Sequence, residues 1–406
     1  MKISKLLTQG LCPCCLRTFK LSDAPFRCIN PEHAADDAQL AKHLGRGEAI
    51  RGVVFSPAEP HSLFEKIFRR AKNAVACPEC GVLSSQRACP HCHSDLAPNA
   101  HRLNHIVIAV IGPRNAGKTT FIAAMLDQLE RNGYRLSMDI RPQGNETRTN
   151  FENHYAFVAR EGRLPPSTQV NGDNPVIRQP LLYRIEVRND SRDRQQRRFS
   201  RSINLVIFDS AGESLGDPHT MGLHNRGLLQ ADALIFVIDP LTLGGVYARL
   251  PPGHHSSAEP VRVGPESILN NMIELFESRG LVAHSEQIEL PAAFALSKLD
   301  ELAAVPELLP DLNPVGLLPS PHNGKFNKEA IDYVSCQIER KLADGQWGTE
   351  ALLNKTKKFA NAKFFLFSSL GVRPQDGEVA VDVSSPVRVE DPLLWLLWRL
   401  GFLQPE

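Results

Sequence analysis

Residues 112–119 have the sequence GPRNAGKT, which fits the phosphate-binding loop pattern G-x-x-x-x-G-K-[ST] at every fixed position. Before them, the apolar run HIVIAVI at residues 105–111 predicts a buried strand. After them, residues 120–128 repeat apolar side chains at helical spacing. Strand, loop and helix in this order are the setting in which the pattern binds phosphate, whereas a chance glycine turn would need neither neighbour. The stretch therefore predicts an α/β domain that binds a nucleotide.

The spacing of this loop gives each residue type a separate task. Glycines let backbone N–H groups curl around a phosphate at a helix N-terminus. The amine of Lys118 is expected to reach the β- and γ-phosphate oxygens, and the hydroxyl of Thr119 is expected to ligate Mg²⁺. The residues predicted to contact the nucleotide here are Gly112, Asn115, Ala116, Gly117, Lys118, Thr119 and Thr120.

The length, charge and composition of the chain limit the class of protein to which this loop can belong. A chain of 406 residues is long enough for about two or three domains. Its 46 lysines and arginines nearly balance its 45 aspartates and glutamates, so no overall charge favours nucleic acid or a membrane surface. No apolar leader follows Met1, and no run approaches the roughly 20 apolar residues of a membrane-spanning helix. These features predict a cytoplasmic protein.

Eight of the nine cysteines precede residue 93, which is typical of metal ligands in a small module. Two C-x-x-C pairs, eight residues apart, have the pattern of a zinc ribbon, in which each turn directs two thiolates at one ion. A redox-active pair is the alternative, but no thioredoxin-like βαβ pattern surrounds it. The expected ligands are Cys77, Cys80, Cys89 and Cys92.

A second group of candidate zinc ligands lies nearer the N-terminus. Free cytosolic thiols are the alternative reading of this group, and Cys14 is a spare thiolate that can replace one ligand. The two groups are also able to exchange ligands across residues 34–76, so the spacing leaves the pairing open. Because all four positions would be filled by protein, each zinc ion is expected to be structural. The ligands of the second group are Cys12, Cys15, Cys28 and His33.

Residues 1–100 are predicted to form this zinc-ribbon module and residues 101–406 the nucleotide-binding domain, because Pro98 and Asn99 interrupt the pattern between them. Within the module, residues 62–73 predict a helix with an apolar and a basic face. We expect that helix to pack the ribbons together, and a face for a protein partner is the alternative.

The run INLVIFD at residues 203–209 predicts a buried strand that ends in Asp209. An aspartate at this end of a strand beside the phosphate loop can bind Mg²⁺ through water, and Gly212 can donate its backbone N–H to a γ-phosphate. Thr168, in a proline-rich loop, is the candidate for sensing that phosphate. Ser167 is a rival, and an ordinary loop residue is the alternative.

Two further strands end in residues suited to a guanine base. The first, Ala292–Leu296, precedes Asp300, whose carboxylate can accept hydrogen bonds from guanine N1–H and N2–H₂, which adenine does not offer. Lys298 is expected to lie over the base and ribose. The second strand, at 364–367, precedes a turn whose backbone N–H groups can meet guanine O6. The residues predicted to bind the base are Ser297, Lys298, Asp300, Ser368, Ser369 and Leu370.

The rest of the chain contains weaker signals. Residues 240–264, rich in proline and glycine, predict a surface insertion. The arginine-rich stretch at 188–201 predicts a solvated hairpin tip, with nucleic-acid contact as the alternative. The apolar stretch at 392–403 is too short to span a bilayer and predicts a helix buried against the sheet. Further helices are predicted at 146–161, 267–277, 323–343 and 349–358.

The ordered motifs resemble those of Ras-like GTPases of the translation-factor class, over residues 104–371. The resemblance implies a three-layer domain with helices on both faces of a mostly parallel sheet, in which the strand Leu181–Val187 runs antiparallel. Ser297 stands where the class has Asn or Thr. Glu213 replaces the water-positioning Gln of the class, which implies slow GTP hydrolysis without an activator. The motifs that match are at 112–119, 209–212, 297–300 and 368–370.

The layout, zinc knuckles included, is also similar to bacterial P-loop GTPases of the double-GTPase type associated with conflict systems. This implies a switch that binds GTP and GDP, hydrolyses GTP with Mg²⁺, and meets an unidentified protein partner through the zinc module or the switch loops. The alternatives are a nucleotide-binding scaffold without turnover and a zinc-ribbon nucleic-acid-binding protein with an accessory NTPase. The residues expected to act in catalysis are Lys118, Thr168, Gly212 and Glu213.

The run NAGK at residues 115–118 resembles the loop of the TrmE–Era group of GTPases. In that group an asparagine at the position of Asn115 helps to hold a potassium ion beside the phosphates, where it offsets developing charge. Potassium is therefore a candidate third cation. Arg114, which could reach the phosphates itself, and a simple turn role for Asn115 are the alternatives.

Overall fold

The computed structural model describes residues 9–45, 47–56, 74–96, 104–156, 179–187, 201–210, 226–251, 263–282, 286–303, 305–309, 321–322, 325–371 and 385–404. Several predicted features lie outside these residues. They are the helix at 62–73, the boundary at Pro98 and Asn99, the candidate switch residues Ser167 and Thr168, most of the arginine-rich stretch, and Gly212 and Glu213.

The cysteine-rich module, defined here as the described residues from 9 to 96, consists of short antiparallel strands and one helix. A sheet of order β10-β9-β3-β6 forms its centre, and β1-β2, β4-β5 and β7-β8 pair as two-stranded sheets. The elements are β1 (Gln9–Leu11), β2 (Thr18–Lys20), β3 (Phe26–Arg27), β4 (Ala34–Asp36), α1 (Ala38–Leu44), β5 (Ile50–Gly52), β6 (Val54–Phe55), β7 (Val75–Ala76), β8 (Leu83–Ser84), β9 (Arg87–Ala88) and β10 (Asp95–Leu96).

The nucleotide domain, from residue 104 onward, contains a seven-stranded sheet of order β12-β13-β14-β11-β15-β16-β17. The last five strands in this order run parallel, and β13 pairs antiparallel with both β12 and β14, as expected for Leu181–Val187. The strands are β11 (Asn104–Ile111), β12 (Met138–Pro142), β13 (Leu181–Val187), β14 (Arg201–Asp209), β15 (Ala233–Ile238), β16 (Ala292–Leu296) and β17 (Ala362–Leu366).

Helices cover both faces of this sheet, which confirms the three-layer α/β class. One apolar core packs α2 and α10 on one face, and another packs α6, α8 and α9 on the opposite face. The helices are α2 (Lys118–Asn132), α3 (Gly144–His154), α4 (Arg226–Leu229), α5 (Gly244–Tyr247), α6 (Pro265–Ser278), α7 (Leu299–Ala303), α8 (Lys328–Ala343), α9 (Glu350–Thr356) and α10 (Asp391–Arg399).

Two parts of the chain differ from expectation. The edge strand β12 is an element that the sequence pattern did not indicate. The prediction of a surface insertion from residue 240 is wrong for its first part, because Leu241, Leu243 and Val246 are buried in the core beneath the sheet. The helix α10 is buried as predicted, and within the described ranges no helix is long and apolar enough to cross a membrane.

The cysteine-rich module packs directly on the nucleotide domain. Leu16 is buried in one cluster with Val107 of β11, Leu182 of β13 and Val206 of β14, and Phe208 packs against the same cluster. Phe208 immediately precedes Asp209. The module therefore covers the sheet face beside the strand that ends in the predicted magnesium residue.

Candidate functional site

The phosphate loop joins β11 to α2, as its sequence predicts. Gly112 has φ of 151°, and a Cβ there would lie 2.2 Å from the Val237 carbonyl oxygen of the neighbouring strand, so only glycine fits. Gly117 has φ of 86°, and a Cβ there would meet nothing within 4 Å. The loop backbone is thus held against β15 at one end and borders open space at the other, where α2 begins.

Lys118 already lies inside this loop. Its Nζ donates hydrogen bonds to the carbonyl oxygens of Gly112 at 2.9 Å and Pro113 at 2.7 Å, and the residue is buried. These bonds hold the ammonium group at the centre of the loop, where a phosphate bound by backbone N–H groups would meet it. The geometry fits the phosphate-binding task that the sequence assigns to Lys118.

Thr119 and Asp209 form the predicted pair at the start of α2. The Thr119 hydroxyl donates to Asp209 Oδ2 at 3.0 Å, across 90 residues of sequence. The hydroxyl of Tyr155, the residue directly after α3, donates to the same oxygen at 3.3 Å. A hydroxyl and a carboxylate are the hard oxygen ligands that Mg²⁺ prefers, so this donor set fits that ion.

The residues predicted to bind the base also come together. The Ser368 hydroxyl donates to Asp300 Oδ1 and accepts from the Gly371 backbone N–H at 2.8 Å. Burial raises the pKa of Asp300, and the hydrogen bond from Ser368 opposes that rise. A carboxylate must be ionised to accept both guanine N–H groups, so base binding is expected to weaken as the pH falls through that pKa.

Lys298 is fixed by a partner that sequence reasoning missed. Its Nζ lies 2.6 Å from Asp239 Oδ2, and its φ of 56° places the backbone in the left-handed region. Asp239 follows the last residue of β15 and also accepts from the Leu241 backbone N–H. A carboxylate at the end of a buried strand is the signal that identified Asp209, and the same signal was present here.

The cysteine-rich module holds two four-residue groups whose candidate ligand atoms lie within 4.8 Å of one another. The expected grouping of the two C-x-x-C pairs at 77–80 and 89–92 around one ion is wrong. Each pair joins instead with residues from the N-terminal part, which is the ligand exchange that the spacing left open. The groups are Cys12, Cys15, Cys89 and Cys92, and Cys28, His33, Cys77 and Cys80.

The distances in both groups fit tetrahedral zinc. The Sγ atoms of Cys12 and Cys92 are 3.7 Å apart, and those of Cys15 and Cys89 are 3.8 Å apart. A tetrahedron with zinc–sulfur bonds of about 2.3 Å has sulfur–sulfur edges of about 3.8 Å, whereas a disulfide bond is about 2.0 Å long. In the second group, Cys77 Sγ lies 3.5 Å from His33 Nδ1, as expected for the shorter zinc–nitrogen bond.

The two groups are mechanically joined. Strand β3, which leads into Cys28 of one group, pairs with β9, which leads into Cys89 of the other. Arg27, which precedes Cys28, is buried and donates through Nε to Asp95 at 2.6 Å and through a terminal nitrogen to the Gly52 carbonyl at 2.8 Å. The two groups are therefore linked through one sheet.

Glu79 orients the histidine of the second group. Its Oε2 lies 2.6 Å from His33 Nε2, while Nδ1 faces Cys77, and this hydrogen bond raises the pKa of His33. A carboxylate on the outer nitrogen holds the ring and tautomer in place for a metal. The sequence offered no signal for Glu79 beyond its position inside a C-x-x-C turn.

Glu79→Gln is expected to weaken zinc binding at the second group about tenfold, because the amide holds His33 less firmly than a carboxylate. Zinc competition against a chromophoric chelator measures the change. Glu32→Gln, an exposed neighbour of His33 in sequence, is the matched control and should behave like the parent. Identical zinc affinities for the two variants would remove Glu79 from this role.

Comparison with known families adds to this geometry. Residues 106–283 match the family model described as Double-GTPase 2. This segment is a P-loop GTPase domain of the double-GTPase type. The match spans the phosphate loop of the GTPase and Asp209, and it ends before Asp300 and Ser368. The candidate base-binding residues Asp300 and Ser368 lie outside the matched segment.

The GTPase is also similar to individual proteins. SaeC of Mycolicibacterium smegmatis (strain ATCC 700084 / mc(2)155), named for ESX-1 scaffolding and assembly, is 26% identical over 339 residues, which cover 78% of this chain and 80% of SaeC. A structure of sup35 complexed with GDP is 14% identical with a TM-score of 0.21 and covers 70% of this chain. The Arl6 small GTPase from Trypanosoma brucei with bound GppNp is 11% identical with a TM-score of 0.27, covering 74% of this chain and 100% of its own.

This GTPase spans 41% of the sup35 chain bound to GDP, and both TM-scores lie below 0.5, so neither likeness says anything about function. The family match and the contacts of the site residues are what identify the GTPase domain.

Proposed function

We propose that the protein binds GTP with Mg²⁺ and hydrolyses it as a molecular switch, slowly in the absence of an activator. The observation that supports this most strongly is the position of the candidate residues in the sheet. Lys118, Asp209, Asp300 and Ser368 follow the carboxyl ends of parallel strands, and those ends lie along one edge. This edge is where open α/β sheets bind their ligands.

In this proposal the chain acts by positioning and by charge stabilisation. Lys118 would shift its ammonium from the loop carbonyls to the β- and γ-phosphate oxygens, where negative charge grows during transfer. Thr119 and Asp209 would hold Mg²⁺, which neutralises charge on the phosphates when bound. Thr168, Gly212 and Glu213 remain candidates for closing on the γ-phosphate and orienting the attacking water.

Guanine selection tests the proposal. The parent is expected to bind GTP far more tightly than ATP, and Asp300→Ala is expected to lower GTP affinity about 100-fold and bring the two affinities together. The variant lacks the carboxylate that accepts hydrogen bonds from guanine N1–H and N2–H₂, and these bonds distinguish GTP from ATP. Calorimetric titration with GTP and ATP gives both numbers, with Asp127→Asn on the exposed side of α2 as the control. Equal affinities of the parent for GTP and ATP would end the proposal of a guanine site.

Two structural zinc ions complete the proposal. Each four-ligand group would enclose one ion and leave no coordination position open. A closed site of this kind stabilises the fold and is not catalytic. Potassium at Asn115 stays a prediction. Asn115 has φ of 61°, and the left-handed region is one that asparagine tolerates in turns, so the turn role has a structural basis.

A second candidate is a nucleotide-binding scaffold without turnover. The similarity to SaeC, whose name refers to scaffolding and assembly, favours a protein partner, and Glu213 in place of glutamine favours slow chemistry. Single-turnover measurement of phosphate release from bound GTP separates the candidates. Retained GTP without phosphate release would support the scaffold, and release would support the switch.

A further inference from the structure

Asp209 receives two hydroxyl donors on the same oxygen, and only one of them belongs to the phosphate-binding helix. Thr119 of α2 donates to Oδ2 at 3.0 Å, and Tyr155 donates to it at 3.3 Å from α3. Helix α3 is a separate element that lies between β12 and β13 in the chain. The tyrosine therefore ties a third element to the candidate magnesium site.

Tyr155 is rigidly held in this position. The residue is 1% exposed, and its ring stacks on Phe151, with centroids 5.8 Å apart and an interplanar angle of 10°. A buried tyrosine hydroxyl needs a hydrogen-bond partner, and Asp209 supplies it. Because the ring has little freedom, the hydroxyl acts as a fixed point against which the carboxylate is aligned.

We propose that Tyr155 is a positioning residue for the magnesium site, acting through Asp209. The inference rests on the proposed function. An ionised carboxylate only accepts hydrogen bonds, and two donors converging on one oxygen from different helices fix its rotation. The Thr119 hydroxyl can offer a lone pair to a cation while it continues to donate its hydrogen bond to Asp209. The hydrogen bond from Tyr155 then prevents the Asp209 carboxylate from rotating away from the candidate magnesium site.

The same arrangement explains why Tyr155 should affect magnesium more than nucleotide. The hydroxyl contacts the carboxylate, whereas the phosphate-binding groups of Lys118 and the loop backbone lie on β11 and α2. Loss of a group that orients a metal-binding carboxylate typically weakens metal affinity by about 10- to 100-fold. The effect should vanish once the metal concentration is high enough to saturate the weakened site.

Tyr155→Phe tests this proposal because it removes one oxygen and keeps the stacked ring. The readout is retention of a fluorescent GDP analogue by the full-length protein while Mg²⁺ is varied, which does not depend on hydrolysis. The magnesium concentration for half-maximal retention is expected to rise about tenfold, with parent-like retention at saturating Mg²⁺. Tyr183→Phe is the matched control. It removes another buried hydroxyl from the same aromatic cluster, and the carboxylate that acts on that hydroxyl is Glu130 and not Asp209.

Each result decides the question. A raised magnesium midpoint in Tyr155→Phe alone supports the positioning role. A parent-like midpoint, or an equal rise in both variants, overturns it, since the second outcome means general loosening of the cluster. Retention that is independent of Mg²⁺ in the parent overturns the magnesium part of the proposed function together with this inference, and so is distinguishable from failure of Tyr155 alone. Thermal unfolding without nucleotide should be similar for both variants.

Discussion

Cys89→Ser is expected to release both zinc ions and to unfold most of the cysteine-rich module, although Cys89 belongs to one group only. Serine is a poor zinc ligand, and structural zinc in small modules supplies about 10 kcal/mol or more of folding free energy. The loss should spread because β9, which leads into Cys89, pairs with β3, which leads into Cys28 of the other group. So small a module has little other core to keep it folded.

Elemental analysis and limited proteolysis measure this outcome. The parent is expected to contain two zinc ions per chain, and the variant close to none, with cleavage confined to the module while bound nucleotide is retained. Cys336→Ser is the control, because that thiol is exposed on α8 and belongs to neither group. One zinc ion retained by Cys89→Ser would show that the groups fold independently. Two retained ions would contradict the grouping itself.

Lys118→Ala is expected to lower GTP affinity about 100-fold or more. Removing one partner of a buried, hydrogen-bonded charge pair costs about 2–5 kcal/mol, because the other charge is left uncompensated. The loop should keep its shape in the variant, since Gly112 is held against Val237 and not by the lysine alone.

Fluorescent-nucleotide titration measures the change for Lys118→Ala. Arg131→Ala is the control, because it removes a cation from the same helix where the side chain is exposed and pairs with Asp127. An exposed pair of this kind contributes at most about 0.5 kcal/mol, so the control should bind like the parent. A variant of Lys118 with parent-like affinity would mean that the loop does not bind phosphate.

The strands around the phosphate loop were predictable for a physical reason. β15 and β16 are buried on both faces, so their sequences are continuous apolar runs with clear ends, and Ala292–Leu296 is found with the predicted bounds. The sequence of β12 contains no such continuous apolar run. Its charged residues Asp139 and Arg141 alternate with buried ones over only five residues, and a proline ends it, which a sequence pattern does not separate from a loop.

The parts of the site that escaped prediction depend on how distant segments pack. A C-x-x-C turn specifies two ligands of an ion but not which other turn completes it, so the pairing of Cys12 with Cys92 is set by the path of the chain. Tyr155 and Asp209 are 54 residues apart in sequence. Their side chains come into contact only because α3 packs beside β13. Motif spacing located Lys118 and Thr119 because one strand, one loop and one helix fix their separation, and Asp209 was located because it ends a buried strand.

The two four-residue groups are nested in sequence, so their members are synthesised at different times. Cys12 and Cys15 emerge from the ribosome first, yet their partners Cys89 and Cys92 are translated last in the module. Until Cys89 and Cys92 are synthesised, Cys12 and Cys15 lack the other half of their four-residue group. Leu16 reaches its packing partners later still, because one of them, Leu182, is synthesised after β12 and α3. Residues 12–16 are thus synthesised before the segments that complete their contacts.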